Sequence, residues 1–152
     1  MILVHPDSGV ALLPNVPISL KVKKSKDFDT LPKSLREHLR QVRTSQKLTQ
    51  GDVARLIGTN TETYQHWEKG YTEPEIESIP SIVRFLGYDP YPAPTNLQER
   101  MLSKRRRMGW TLNVAAKLFK VNRKTWKAWE QGGAPSIKFE NPLEMFLEGH
   151  SD

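Results

Sequence analysis

The same pattern occurs twice in this sequence, 62 residues apart. Between positions 35 and 70, 11 of 36 residues are identical to the residue 62 positions later. The identical residues are Leu35, Glu37, Arg43, Thr49, Ala54, Leu56, Asn60, Thr63, Trp67, Glu68 and Gly70. A repeat at a constant offset indicates one structural unit in two copies, since both copies retain the residues that the unit requires. A chain of 152 residues has room for two such small domains.

Start and stop signals in the first copy predict short helices. Leu35, Leu39 and Val42 recur at the helical period, which predicts a first helix with one apolar stripe. Thr49, followed three residues later by Asp52, is typical of the capping box that opens a second helix.

A short turn separates the second helix from a third. Gly58 is expected to end the second helix, because glycine adopts the left-handed conformation at low cost. Asn60 is expected to cap a third helix that ends at Gly70. Two short helices joined by such a turn are typical of helix-turn-helix geometry.

A last helix is predicted to close each copy. In the first copy, Pro80 begins this helix and Gly87 ends it. Pro142 and Gly149 occupy the same positions in the second copy, where Asn141 is expected to be the cap. We therefore predict an all-α fold of two tandem five-helix domains.

These signals divide the chain into four segments. Residues 1–30 contain three prolines and no helical period, which predicts an extended, flexible N-terminal arm. The two helix-turn-helix domains are expected at 31–87 and 97–149. Residues 88–96, between them, contain three alternating prolines and are predicted to form a stiff spacer.

Positive charge is concentrated in the second copy. Residues 97–132 contain ten basic and two acidic residues, a net charge of +8, whereas residues 35–70 contain six and four, a net charge of +2. This distribution favours a polyanionic partner. The sequence has no cysteine, no signal peptide and no apolar run long enough to span a membrane, so a cytoplasmic protein is expected.

No set of residues in the sequence suggests catalysis or metal binding. The four histidines, His5, His38, His66 and His150, are not spaced as metal ligands. There is no nucleophile–base set, glycine-rich phosphate loop or general-acid pair. We therefore expect a protein that is not an enzyme and that uses neither a metal nor a cofactor.

The spacing within the helices separates inward from outward residues. Inward residues are expected to be Ala54, Tyr64 and Trp67 in the first copy, and Ala116, Trp126 and Trp129 in the second. Outward residues on the third helix are then Thr61, Glu62, Gln65, His66 and Lys69, and in the second copy Arg123, Lys124, Lys127, Ala128 and Gln131.

The first copy contains, in order, Leu48, Thr49, Gln50, Leu56, Gly58, Asn60, Thr63, Tyr64, Trp67, Glu68 and Gly70. This ordered set resembles the phage-repressor and Cro-like helix-turn-helix family of bacterial regulators. The resemblance covers residues 31–87 closely and residues 97–149 more loosely. It implies that the third helix of each domain enters the major groove of DNA.

The resemblance also implies which outward residues contact base edges. They are Thr61, Glu62 and His66 in the first domain, and Arg123, Lys124 and Ala128 in the second. Arg123 suits guanine, because its forked side chain can donate to both O6 and N7. Glu62 has two interpretations: it accepts a hydrogen bond from cytosine, or it is a solvated residue favoured by the dipole at the helix start.

Other DNA contacts are expected from Gln50, Gln65, Lys69 and Lys127. Gln50 is implied to hold a phosphate and to brace the first base contact, a role that Leu112 cannot fill in the second copy. Arg106 and Arg107 either contact phosphates, which their basic neighbours favour, or only stabilise the end of a helix.

Two further features follow from the resemblance. It pairs Arg43 with Glu68 and Arg105 with Glu130 as partly buried ion pairs, which makes these arginines structural and not DNA ligands. Lys120 stands where the turn glycine is expected, so a non-glycine residue is predicted to be left-handed there.

The function expected from these observations is sequence-specific binding of double-stranded DNA by a transcriptional regulator, acting as a repressor. Two unlike recognition helices in one chain imply an asymmetric target, bound by a monomer or homodimer at the bacterial nucleoid. The alternative is a DNA-tethering or accessory subunit of a recombination, defence or toxin–antitoxin assembly. In that case the N-terminal arm or the acidic C-terminal tail would bind a protein partner.

Overall fold

The computed structural model describes residues 32–149, which form eight α-helices and one short 3-10 helix, with no strand among them. The helices are α1 (Leu35–Ser45), α2 (Gln50–Ile57), α3 (Thr61–Lys69), the 3-10 helix (Ile76–Ser78), α4 (Ile79–Leu86), α5 (Leu97–Met108), α6 (Leu112–Leu118), α7 (Arg123–Glu130) and α8 (Ile137–Glu148). The all-α prediction is confirmed over this range. The predicted arm at residues 1–30 lies outside the described residues.

Side-chain caps open the second and third helices as predicted. The Thr49 hydroxyl accepts from the backbone N–H of Asp52 at 3.1 Å, and the Asp52 carboxylate accepts from the backbone N–H of Thr49 at 2.9 Å. Asn60 accepts a backbone N–H from α3 at 2.8 Å. Gly58 and Gly70 end α2 and α3 with φ of 87° and 75°. The turn between α2 and α3 is therefore defined by caps at both ends.

The second half of the structure, residues 97–149, repeats the side-chain caps that open these helices but not the glycines that end them. Thr111 opens α6 and Asn122 opens α7, and each side chain accepts a backbone N–H from its helix. Lys120 lies in the turn with φ of 53°, a left-handed conformation that costs an L-residue about 1 kcal/mol. The prediction for Lys120 is confirmed, and the turn forms without glycine.

The last helix of the second half differs from the prediction. α8 runs unbroken from Ile137 to Glu148 with Pro142 inside it, so Asn141 is not a helix cap. Phe139 and Leu143, four residues apart, both contribute to the same apolar cluster. A continuous helix keeps this face together, and the φ of proline is itself helical. The second half therefore has four helices instead of the five predicted.

Two separate apolar cores lie within the described residues. The first core consists of Leu39, Val53, Ala54, Ile57, Tyr64, Trp67, Ile79, Ile82 and Leu86, all in the first half, residues 32–87. The second core consists of Met101, Ala115, Ala116, Trp126, Trp129 and Leu143. The inward positions predicted from the repeat are confirmed as buried. The described residues nevertheless form one compact unit, so the division into two tandem domains stays a prediction.

The segment between the halves does not hold them apart. Residues 88–96 have no regular secondary structure, and Tyr91 packs against the first core. α5 of the second half contacts both α4 and the 3-10 helix of the first. The two halves therefore contact each other directly, and the stiffness expected for residues 88–96 stays a prediction.

Candidate nucleic-acid interface

The outward face of α3 is accessible to a ligand. Its residues are Thr61, Glu62 and Lys69, which are exposed, and Gln65 and His66, which are partly exposed. The opposite face carries Tyr64 and Trp67, both buried in the first core. The division predicted from the helical spacing is confirmed, so α3 is held by its aromatic face and presents its polar face.

α7 presents a more basic face in the same way. Its outward residues Arg123, Lys124, Lys127 and Ala128 are all exposed. Trp126 and Trp129 on the other side are buried in the second core. Both helices thus bury two aromatic residues, but their outward residues differ. α7 presents three cations, whereas α3 presents mostly neutral groups with one acid and one lysine.

A part-buried ion pair anchors α3 to α1. Arg43 Nε donates to Glu68 Oε1 at 2.6 Å and Arg43 Nη2 donates to Glu68 Oε2 at 3.0 Å. The two side chains are 16% and 5% exposed. Tyr64 Oη donates to Glu68 Oε1 at 2.8 Å, and Gln50 Nε2 donates to Oε2 at 2.9 Å. Glu68 therefore joins α1, α2 and α3 through one carboxylate.

The equivalent pair anchors α7 to α5 in the second half. Arg105 Nε and Nη2 donate to the two oxygens of Glu130 at 2.7 and 2.9 Å, and both side chains are 10% exposed. Trp126 Nε1 donates to Glu130 at 2.7 Å, in the place of the tyrosine hydroxyl. Both predicted pairs are present and structural. They set the orientation of each outward face relative to its own core.

The hydrogen bonds keep Glu68 in its charged form. Burial alone raises the pKa of the Glu68 carboxyl, but the hydrogen bonds from Arg43, Gln50 and Tyr64 outweigh it, so the net pKa lies below its usual value. Burial, and then the hydrogen bond to Glu68, raises the pKa of the Tyr64 hydroxyl. Tyr64 therefore stays protonated and remains a donor to the carboxylate.

Gln50 has a structural contact in addition to the one expected with DNA. Its amide nitrogen donates to Glu68, an interaction that the sequence pattern did not indicate. Leu112 replaces it in the second half and packs against the second core. The brace on the glutamate is thus present in the first half and is replaced by apolar packing in the second.

The two arginines near the end of α5 have different surroundings. The guanidinium of Arg106 lies 3.9 Å from the ring centroid of Tyr91, and its side chain is partly buried. Arg107 is exposed. The structure therefore brings Arg106 to the contact between the two halves, whereas Arg107 is available at the surface. From the sequence both arginines have the same two expected roles, because a basic run contains no information on which side chain stacks.

An exposed aromatic residue follows α3. Tyr71 is 71% exposed, its ring lies 5.7 Å from that of His66, and Lys69 Nζ lies 5.7 Å from its centroid. Sequence reasoning did not select Tyr71. The only signal was an aromatic residue directly after the helix-ending Gly70. Its position adds a polar aromatic group to the edge of the α3 face.

A cleft of about 640 Å³ lies between the two halves. Glu73, Glu75 and Glu77 line its first-half side, and Arg123, at the start of α7, lines the other. An acidic loop therefore stands close to the most basic candidate helix. The repeat could not predict this proximity, because it depends on packing between the copies.

Within residues 32–149, no three or more histidine, aspartate or glutamate side chains come together as potential metal ligands. Over the same range, every helix is too short or too polar to cross a membrane.

Comparison with known proteins supports a helix-turn-helix domain in the first half. Residues 39–91 match the helix-turn-helix family, a range that includes all of α2 and α3. The chain is also 32% identical over 70 residues to the cryptic phage CTXphi transcriptional repressor RstR of Vibrio cholerae. That alignment covers 43% of this chain and 63% of the repressor. No solved structure matches the chain.

Proposed function

We propose that this protein binds double-stranded DNA sequence-specifically through α3 and α7 and represses transcription. The observation that carries the proposal is the constant framework around two variable faces. Both helices have an asparagine cap, two buried aromatic residues at equivalent positions and a part-buried arginine–glutamate pair, whereas their outward residues differ. The relative in Vibrio cholerae, a phage transcriptional repressor, supports the regulatory role.

The proposed contacts divide into base edges and phosphates. Base contacts are assigned to Thr61, Glu62, His66, Arg123 and Lys124. Phosphate or flanking contacts are assigned to Gln50, Gln65, Lys69, Arg107 and Lys127. Base contacts supply selectivity, whereas phosphate contacts supply affinity that depends on salt. Repression then follows from occupancy, because polymerase cannot use a groove that the helices fill.

The two halves are proposed to contribute unequally. The repeat segment of the second half carries a net charge of +8, against +2 for that of the first. The second half should therefore supply most of the affinity that depends on phosphate contacts. The first half should determine where along the DNA the protein binds and add selectivity for sequence. Two unlike faces also favour an asymmetric target, with the guanine-rich part under α7.

Removing two exposed cations from the second half should reduce the salt dependence of binding. Each neutralised phosphate contributes a slope of about −0.9 to a plot of log affinity against log salt concentration. The double variant Lys127→Ala and Arg107→Ala should therefore flatten the slope by up to about 2. Binding isotherms at four or five salt concentrations measure the change.

A matched double variant controls for the loss of net charge. Arg40→Ala and Arg84→Ala remove two exposed cations from α1 and α4, outside the proposed interface. This control should leave the slope within about 0.5 of the wild-type value. Equal slopes for the two double variants would remove Lys127 and Arg107 from the phosphate contacts.

Selection of bound duplexes from a random DNA library tests the proposed function itself. The full chain should enrich a site with two unlike parts, of which one contains guanine. A library that shows no enrichment over several rounds, at low salt as well as at moderate salt, would rule out sequence-specific binding.

A further inference from the structure

We propose that the contact between the two halves is a junction that holds α3 and α7 in one relative orientation, so that the chain recognises one spacing between the two parts of its target. The junction consists of Pro80, Tyr91, Arg106 and Gly109. Arg106 is then a positioning residue and not a phosphate ligand. The consequence for DNA rests on the proposed function, but the junction can be tested without DNA.

The first contact in the junction is the stacking of Arg106 on Tyr91. The guanidinium lies 3.9 Å from the ring centroid, the distance expected for a planar cation lying on an aromatic face. Tyr91 also packs against the first core, while Arg106 belongs to α5 of the second half. One aromatic ring therefore contacts both halves. Burial raises the pKa of the Tyr91 hydroxyl, and the nearby positive charge of Arg106 partly offsets that increase. Both effects agree with a ring that lies between the first core and Arg106.

The second contact is the close approach of Gly109 to Pro80. A Cβ atom on Gly109 would lie 3.0 Å from Pro80 Cγ and 3.5 Å from the Cα of Glu77. The end of α5 therefore fits so closely against the start of α4 that a methyl group on residue 109 would push Pro80 away by a few tenths of an ångström.

The repeat shows why residue 109 is glycine. The equivalent residue in the first copy is Lys47, which has φ of 56°, close to the 65° of Gly109. A left-handed residue at this helix end therefore does not require glycine in this fold. The approach to Pro80 favours it, because a Cβ atom on residue 109 would lie 3.0 Å from Pro80 Cγ. The glycine is thus explained by packing between the halves.

The junction limits how far the two halves can move about the connecting residues 88–96. Nine residues in an extended, proline-rich conformation span roughly 28 Å, which would let the halves separate and rotate. Packing at Pro80 and Tyr91 removes that freedom. Two recognition helices held in one orientation lose less conformational freedom on binding, and they reject targets whose two parts lie on different faces of the duplex.

Distances between spin labels test the junction directly. The sequence has no cysteine, so Arg40→Cys in α1 and Glu140→Cys in α8, both exposed, give one label in each half. We expect a single narrow distance distribution. Tyr91→Leu, which keeps an apolar side chain and alters no charge, should broaden it at least twofold, and Tyr91→Phe should not. A broad distribution in the parent protein, or no broadening in Tyr91→Leu, would overturn the junction.

Two glycine variants separate packing from backbone strain. Gly109→Ala and Gly58→Ala both place a methyl group on a left-handed helix end, but only the first meets neighbouring atoms, because Gly58 has none within 4 Å. Gly109→Ala should broaden the label distribution, and Gly58→Ala should leave it narrow. Equal effects of the two variants would show that the close approach has no role in orientation.

A series of DNA targets tests the consequence for recognition. Changing the distance between the two parts by two base pairs rotates one part by about 70°, which should weaken parent binding at least about tenfold. Tyr91→Leu should reduce this penalty to about threefold or less, although it removes no positive charge. Equal penalties in both proteins would contradict a role in spacing. If the parent protein bound no DNA target but still gave a narrow distance distribution, the proposed function would be rejected and the junction would stand.

Discussion

Glu68→Ala is expected to lower the free energy of unfolding by about 3–5 kcal/mol, because it leaves a part-buried arginine without its partner. The carboxylate accepts hydrogen bonds from Arg43, Gln50 and Tyr64, so the substitution removes the acceptor of three donors at once. Urea denaturation followed by circular dichroism measures the change. Glu130→Ala should behave similarly in the second half, through Arg105.

An exposed ion pair provides the control for this substitution. Arg100 and Glu144 lie 3.1 Å apart, with side chains that are 35% and 48% exposed. Glu144→Ala should therefore cost no more than about 1 kcal/mol. If the Glu68→Ala protein were as stable as the Glu144→Ala protein, the part-buried pair of Arg43 and Glu68 would make no special contribution to stability.

The effect of Glu68 should depend on pH in a defined direction. Its folded pKa lies below its ordinary value of 4.5, so the carboxylate stabilises the folded state fully above that pH. The contribution is lost as the pH falls through the lowered folded pKa. The difference in stability between the parent and Glu68→Ala should therefore be constant near neutral pH and shrink in acid.

Arg123→Ala is expected to weaken binding to the preferred DNA site by about 1–3 kcal/mol, roughly 5- to 150-fold, and to relax selectivity at one base pair. Arg123 is the first residue of α7, is exposed, and forms no ion pair with any other described residue. Its fork is therefore available for a guanine edge. Competition binding against targets substituted at each position measures both effects.

Arg123→Lys separates base recognition from charge. Lysine keeps the positive charge but loses the planar fork that donates to two acceptors at once. The variant should keep the parental salt dependence and still lose selectivity at the same base pair. If Arg123→Lys retained full selectivity, Arg123 would act as a charge and not as a base contact.

Local signals in the sequence predicted much of the fold. Thr49, Asn60 and Gly58 identify the ends of α2 and α3 because capping depends on residues within one turn of the helix. The inward positions of Tyr64 and Trp67 follow from helical spacing for the same reason. The ion pairs are less local, and they were predicted only because the repeat and the family resemblance both retain them.

Contacts between distant segments were not predictable from these patterns. The proline at position 142 suggested a helix start, but the apolar face shared by Phe139 and Leu143 favours one continuous helix. The stacking of Arg106 on Tyr91 and the fit of Gly109 against Pro80 depend on how the two cores meet. No periodicity in the sequence reports such a contact. The outward positions of the candidate interface were therefore predictable one residue at a time, whereas its arrangement came from the structure, and its contacts with DNA stay a prediction.

Hydroxyl-radical footprinting of a selected DNA site, with the number of bound chains determined by native mass spectrometry, tests the central claim most directly. One chain per duplex should protect two unlike segments about 10 base pairs apart on the same face of the DNA. Arg123→Ala should weaken protection of the guanine-containing segment more than that of the other. A symmetric site occupied by two chains, with protection unaffected by Arg123→Ala, would contradict recognition by two helices of one chain.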